Sequence, residues 1–246
     1  MKRLDQYSQH FLRSPRLVAE LIGHSNLRKN DIVIDIGAGS GVISAVLARR
    51  VRQVVAIEAD PRMVQKLRQN FSAADNVLVI QKDFLRYQLP SEKYKVFANP
   101  PFHLSSAIIQ KLISAPLPPA AIYLILQKQF AKKLIIDQGN FTSQLGACLA
   151  PWWQTRIRRP LKRSDFAPPP NVDTVLLEIK PRIEPLLPNE ARAEFNFFTE
   201  KCFAEQRFFG QIKQQSQQFN PEKKPSELTT EEWVRLFRFY QSKMIK

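Results

Sequence analysis

Apolar residues along this chain follow two periods, and the change from one to the other divides it. Short apolar runs of strand length recur as DIVIDI (31–36), VVAIE (54–58), NVLVIQ (76–81), YKVFAN (94–99) and AAIYLIL (120–126). Between or after them stand stretches of helical spacing, through Val42, Val46 and Leu47 and over 60–71, 104–114 and 128–137. Strands alternating with helices of this length predict a doubly wound α/β sheet, mostly parallel. An earlier helix is marked by Ser14 as cap, Pro15 at its first position and Gly23 as its stop, with Leu17, Val18, Leu21 and Ile22 as its buried stripe. Asp60 and Pro61 repeat the same start signal. The runs 153–159 and 172–180 have only a proline-rich turn (166–170) between them, which predicts an antiparallel pair at one edge of the sheet. Beyond Pro181 the spacing is helical, over 190–209 and 229–240, interrupted by Pro221 and Pro225. The expected organisation is an α/β domain over 1–180 and a small helical domain over 181–246.

Composition narrows the classes. In 246 residues, 44% are hydrophobic and 17 are Phe, enough to fill a core and too many for long disorder. No apolar run approaches the roughly 20 residues of a membrane span, and the start MKRLDQYSQHF lacks the apolar segment of a signal peptide, so a cytoplasmic protein is expected. Cys148 and Cys202 have neither CxxC spacing nor histidine neighbours, and His10, His24 and His103 lack ligand spacing, so no metal site is expected. The 37 Lys and Arg against 22 Asp and Glu leave a charge of +15, which favours a polyanionic partner. Residues 1–180 hold 26 basic and 13 acidic groups, a net +13, so the excess belongs to the expected α/β domain. A basic ribosomal-type protein, an anionic-lipid binder and a nucleic-acid enzyme all fit these counts.

The glycines begin to separate them. There are seven, and Gly37, Gly39 and Gly41 fall within five residues directly after the first strand of the alternating series, preceded by Asp35. A glycine turn there lets backbone approach a ligand, and the acidic Glu58 ending the next strand can hold a ribose diol. The spacing GxGxG differs from the GxGxxG of dinucleotide folds and suits a nucleoside cofactor without a pyrophosphate, with Asp35 pairing an ammonium group; an ordinary tight turn or a dehydrogenase-like site are the other readings. Asp83, directly after the 76–81 run, could accept the amino hydrogens of an adenine, with Phe84 beside the ring; an isolated Asp in this place is commonly a turn cap. Asn99-Pro100-Pro101-Phe102, after the 94–99 run, decides the reaction. An adenine amine is a poor nucleophile because its lone pair is delocalised. The Asn99 side-chain oxygen and the Pro100 carbonyl can accept both of its N–H bonds, orient the lone pair and stabilise developing positive charge. Neither proline offers a competing N–H. Phe102 supplies a stacking face for a base taken out of its stack. No general base is needed, since the amine becomes acidic once alkylated. Neither cysteine sits in a strand-end Pro-Cys loop, which disfavours pyrimidine C5 chemistry.

Arg156, Arg158, Arg159, Lys162 and Arg163 lie within eight residues, next to Trp152, Trp153 and Phe166, and Lys128, Lys132 and Lys133 share a predicted helix. Cations beside aromatics suit a phosphate-tracking groove near a base pocket, against the bland reading of a solvated face.

Taken together, Ser8-Gln9-His10-Phe11-Leu12, the 35–41 loop, Glu58, Asp83, 99–102 and the segment FAPPPNVD (166–173) resemble the ribosomal RNA adenine-N6 dimethyltransferases, which include the Erm macrolide-resistance methyltransferases and the KsgA small-subunit enzymes. The resemblance implies a Rossmann-like class I methyltransferase domain with a small helical domain. It implies S-adenosylmethionine as donor and one or two methyl transfers to an adenine N6 of ribosomal RNA. By position, His10, Leu12, Gly37, Glu58, Asp83 and Asn99 would contact the cofactor or the reacting amine, and Phe102 and Phe166 would sandwich the adenine. The compact tail and the TrpTrp…Arg-rich stretch are more similar to Erm, implying a 23S target near the peptidyl transferase centre, resistance to macrolides, lincosamides and streptogramin B, and a monomer. Two positions depart from the family pattern: Pro100 stands where Ile or Leu is usual, closer to DNA adenine methyltransferases, and His10 stands where Asn is usual. A small-subunit RNA or DNA substrate, and a non-enzymatic assembly factor, are the alternatives carried forward.

Overall fold

Strands β2 (Ile32–Ile36), β3 (Gln53–Glu58), β5 (Lys95–Ala98) and β6 (Ile122–Gln127) are buried along nearly their whole length. Continuous apolar runs of this kind require cover on both faces, which a parallel sheet between helices supplies. In the computed structural model, which describes residues 10–136, 141–216, 220 and 222–244, these strands form the middle of a seven-stranded sheet. Its order is β4 (Val77–Gln81), β3, β2, β5, β6, β9 (Thr174–Pro181), β7 (Trp153–Leu161). The pairs β2–β3, β3–β4, β2–β5 and β5–β6 are parallel, and β6–β9 is antiparallel. The expected sheet is therefore present, with the late strands at one edge. Ser8 and Gln9, residue 137 of the expected helix and Pro221 lie outside the described residues.

Helices α1 (Pro15–Gly23), α2 (Val42–Ala48), α3 (Pro61–Asn70) and α4 (Ser105–Ile113) alternate with the strands. Ser14 accepts from Leu17 N at the start of α1, and Asp60 accepts from Arg62 N at the start of α3, with proline opening both helices. A separate two-stranded ribbon, β1 (Phe11–Leu12) with β8 (Phe166–Ala167), pairs Leu12 with Phe166; pairing across so many residues left no local signal to read.

The chain runs β2, β3, β4 to one side of β2 and then returns to β5 on its other side. The carboxyl ends of β2 and β5 thus diverge into a crevice, the place where open α/β sheets bind ligands.

Contacts divide the chain into two compact units, 1–128 with 156–180 and 129–155 with 181–246. The sequence division at 180 therefore needs correction for 129–155. The cause is long-range packing. Trp152 is buried edge-on against Phe195 at 5.5 Å, and its carbonyl accepts from Arg182 N at 2.8 Å, while Thr142 N donates to Ser226 O at 2.8 Å. The core of this unit is aromatic: Phe195, Phe198, Trp233 and Phe237 are fully buried and meet mostly edge to face. Helix α5 (Lys128–Lys132) is shorter than the stretch predicted over 128–137. Helix α6 (Gln144–Leu149) escaped prediction because Gly146 disguises its spacing. The 190–209 stretch is two helices, α7 (Arg192–Ala204) and α8 (Gln206–Ser216), parted at the extended Glu205; α9 (Thr230–Met244) follows.

One polar tie holds the N-terminal edge of the sheet. Lys95, 6% exposed, donates from Nζ to Asp31 at 2.7 Å and to Asn26 O at 2.8 Å. Lys95→Met is expected to destabilise the protein by about 2–3 kcal/mol in urea unfolding, because Asp31 loses its buried counter-charge but keeps some water. Adding Asp31→Asn should restore most of the loss; no recovery would mean that Lys95 contributes through packing.

Candidate functional site

The crevice between the ends of β2 and β5 holds a cleft walled by His10, Phe11 and Leu12 on one side, the 37–43 turn below, and 99–102 opposite, with Glu58 at its edge. The glycine turn is held against β3 by Gly37 N and Ala38 N, which donate to Ile57 O at 2.8 and 3.1 Å. Gly37, Gly39 and Gly41 all have positive φ, of 68°, 58° and 92°. At Gly39 a Cβ would stand 2.7 Å from the Phe11 ring, and at Gly41 one would stand 2.5 Å from the Phe71 ring. Gly39 thus lets β1 close down beside the cleft, whereas Gly41 serves packing against α3 and its end.

Glu58, 5% exposed, is fixed by backbone: Oε2 accepts from Gly39 N at 2.8 Å, and Oε1 from Ala59 N and Asp60 N at 2.7 and 2.9 Å. Oε1 is thereby filled, and Oε2 keeps one lone pair, so the carboxylate is held in a fixed orientation at the cleft edge. Asp35, 1% exposed, accepts from Ser44 Oγ at 2.7 Å through Oδ2, while its Oδ1 has no partner. Burial pushes the Asp35 carboxyl up to about 7; the Ser44 hydroxyl opposes that shift and the charge of Glu58 adds to it.

Asn99 ends β5. Its Nδ2 donates to His10 O at 2.6 Å, and its Oδ1 is buried without a partner. A carbonyl partner fixes which end of the carboxamide is which, because only the nitrogen can donate to it. His10 is itself held: its Nδ1 lies 2.9 Å from Pro168 O, and its ring lies 5.7 Å from that of Phe102. Ser105 Oγ donates to Phe102 O at 2.8 Å and steadies the turn behind it.

The sequence pattern of the ribosomal RNA adenine dimethylases matches residues 2–237. This chain belongs to the ribosomal RNA adenine dimethylase family. It is 32% identical over 198 residues to an rRNA adenine N-6-methyltransferase of Saccharopolyspora erythraea, a match covering 80% of this chain and 51% of that protein. It is 32% identical over 177 residues to a probable ribosomal RNA small subunit methyltransferase A of Methanopyrus kandleri, covering 72% of this chain and 63% of the relative. The chain therefore spans about half to two thirds of the length of these curated relatives. Among solved structures, the 23S rRNA methyltransferase ErmE superposes with a TM-score of 0.77 at 26% identity, covering 94% of this chain and 99% of that one.

Membership of the dimethylase family implies S-adenosylmethionine as methyl donor. The residues present fit it. Two buried acceptors, Asp35 Oδ1 and Asn99 Oδ1, lack partners at the strand ends, and an orphaned buried acceptor is costly unless a ligand supplies its hydrogen. Leu12, Gly37, Glu58, Asn99, Pro100 and Phe102 are all walls of the one cleft, as is His10. Asp83 stands apart from those walls: it is exposed, and its Oδ1 accepts from Leu85 N at 2.9 Å, capping a 3-10 turn. It remains on the same sheet edge, two residues beyond Gln81, which pairs with Glu58. Phe84 is buried.

Three expectations need correction. Phe166 is 0% exposed, locked by the β1–β8 pairing into the same core as Leu12, Val18 and Leu21, so it presents no face to a base. The ring that lies against Phe102 is that of His10. Trp152 and Trp153 are also buried, not stacking platforms beside the arginines. Much of the expected basic groove is neutralised by carboxylates distant in sequence: Arg156 pairs with Glu178, Arg159 with Glu20, and Arg163 and Lys128 approach Asp173 at 3.9 and 3.8 Å. Arg158 is half-buried, while Lys132, Lys133 and Lys162 are exposed. The sequence pattern does not single out Arg13 and Arg16, exposed cations directly after the cleft-lining β1, because they flank an ordinary helix start.

The raised Asp35 carboxyl makes stability depend on pH. Below about pH 4 the group is protonated whether the chain is folded or unfolded, and the cost of burying its charge is absent. As pH rises towards 7 the unfolded chain releases the proton first, and above 7 the full cost, about 4 kcal/mol, weighs on the fold. Asp35→Asn, which still accepts from Ser44, is expected to raise Tm at pH 8 and to leave it nearly unchanged at pH 4. An equal gain at both pH values would contradict the assignment.

Proposed function

We propose that the chain methylates the N6 amine of an adenine in ribosomal RNA, once or twice, with S-adenosylmethionine as donor. The observation that carries this reading is the Asn99 carboxamide, whose nitrogen is committed to His10 O while its oxygen is left as a lone acceptor at the cleft. Asn99 Oδ1 and the Pro100 carbonyl accept the two N–H bonds of the amine and direct its lone pair into the cleft. As the nitrogen gains positive charge, both acceptors strengthen. Pro100 and Pro101 keep competing N–H donors out of the loop, and Phe102 supports the face of the flipped base. The donor, when bound, supplies an electrophilic methyl group on a sulfonium. Glu58 holds the ribose hydroxyls, Asp35 pairs with the ammonium group, and the second carboxylate oxygen of Asp83 accepts from the adenine amine of the donor. The methylated nitrogen sheds its proton to water, so no side-chain base is required.

Within the family, the reading extends to an adenine of 23S RNA near the peptidyl transferase centre, whose dimethylation confers macrolide, lincosamide and streptogramin B resistance, by a monomer acting where ribosomes are made. Near-complete superposition on a 23S rRNA methyltransferase supports it. Small-subunit RNA is the second reading, favoured by the Methanopyrus relative, and duplex DNA the third, favoured by Pro100. Arg13, Arg16, Lys162, Lys132 and Lys133 are the exposed cations offered to the phosphates.

Labelled methyl transfer to protein-free 23S RNA, assembled small subunits and duplex DNA tests all three. Label is expected on 23S RNA; label on DNA alone would sink the RNA reading, and RNA binding with no transfer would point to an assembly factor. Asn99→Ala is expected to lower transfer by about a hundredfold or more, in line with loss of a preorganised charge-stabilising group, while RNA affinity changes less than about twofold. A parallel loss of both would contradict its role.

A further inference from the structure

Because β2, β3 and β5 run parallel, their N-terminal ends share one edge, opposite the cleft. The turns that lead into them meet there. Arg52 pairs with Glu92 at 2.9 Å, Gln53 N donates to Asp31 O at 3.3 Å, and Lys95 reaches Asp31 at 2.7 Å. On these turns Arg28, Lys29, Arg49, Arg50 and Lys93 are all exposed, and none forms an ion pair among the described residues. The carboxylates of this edge do not balance them. Asp31 is taken by buried Lys95 and Glu92 by Arg52, leaving Asp75, beside the Asn76 side chain that donates to Ala48 O and Val51 O. The C-terminus of α2 favours a cation and accounts for Arg49 and Arg50, but not for Arg28, Lys29 or Lys93.

This is the reverse of the 156–163 stretch, where three of five cations already face carboxylates. We infer that the N-terminal edge of the sheet is a second phosphate-binding face, gripping a segment of structured RNA other than the one whose base enters the cleft. The inference rests on RNA being the partner. The six-residue β3 separates the two edges by roughly 17 Å at strand rise, too far for phosphates that flank a base in the cleft. A face of five unpaired cations with no stacking aromatic reads backbone charge and shape, which suits folded RNA.

The test compares the full chain with R28Q/K29Q/R49Q/R50Q/K93Q in binding to deproteinised ribosomal RNA over a salt series, and to a single strand of about six nucleotides, short enough to occupy the cleft alone. The variant is expected to lose about tenfold in affinity for ribosomal RNA near 0.15 M salt, and about three from the slope of log K against log salt, with hexamer binding unchanged. A retained slope, an equal loss for the hexamer, or loss of binding to anionic-lipid vesicles with RNA affinity intact would each overturn the inference. Should the fivefold variant fail to fold, R28Q/K29Q/K93Q spares the end of α2 and is expected to lose about two from the slope. Since binding is the readout, the result stands apart from whether methyl is transferred.

Discussion

The two-sided burial of the central strands governs everything else in this chain. Val33, Ile34, Val54, Val96 and Leu124 have no exposed surface, so a polar group within the strands would be stranded without water. Chemistry is pushed to the strand ends, where backbone donors and acceptors come free. Asp35, Glu58 and Asn99 lie at or just beyond the ends of three such strands, and the parallel arrangement brings them to one edge. Their positions follow from the same constraint that builds the core.

The site is tuned by what it leaves unsatisfied. Glu58 is saturated on its protein side and aimed outward; Asp35 and Asn99 each keep one buried acceptor open. Such groups weigh on the stability of the unliganded fold and are relieved by a ligand that donates to them. His10 links the two sides of the cleft, since its carbonyl orients Asn99 while its ring touches Phe102 and its Nδ1 meets the Pro168 carbonyl. A substitution in the short N-terminal ribbon would therefore act on the amide that faces the reacting base.

Charge is distributed on a different principle. The excess of +15 is a property of composition, but its availability is decided by pairing. Arginines that look free in the 156–163 stretch meet Glu20, Asp173 and Glu178 across long sequence separations, whereas the turns at the far edge of the sheet face few carboxylates. Exposed, uncompensated cations, not a local run of them, define where a polyanion can bind.

Local pattern was enough for the alternating strands and helices, the caps at Ser14 and Asp60, the glycine turn, and the acidic and amide residues at strand ends. Each is dictated within a few residues by periodicity, by φ preference or by side-chain capping. Tertiary structure alone decided the rest. The burial of Phe166 depends on a ribbon whose two strands lie far apart in the chain. The transfer of 129–155 to the second unit depends on Trp152 meeting Phe195. The pairing of the 156–163 arginines depends on geometry that composition cannot express. Side-chain identity sets what a residue can do, and its neighbours in space, drawn from anywhere in the chain, set what remains for it to do.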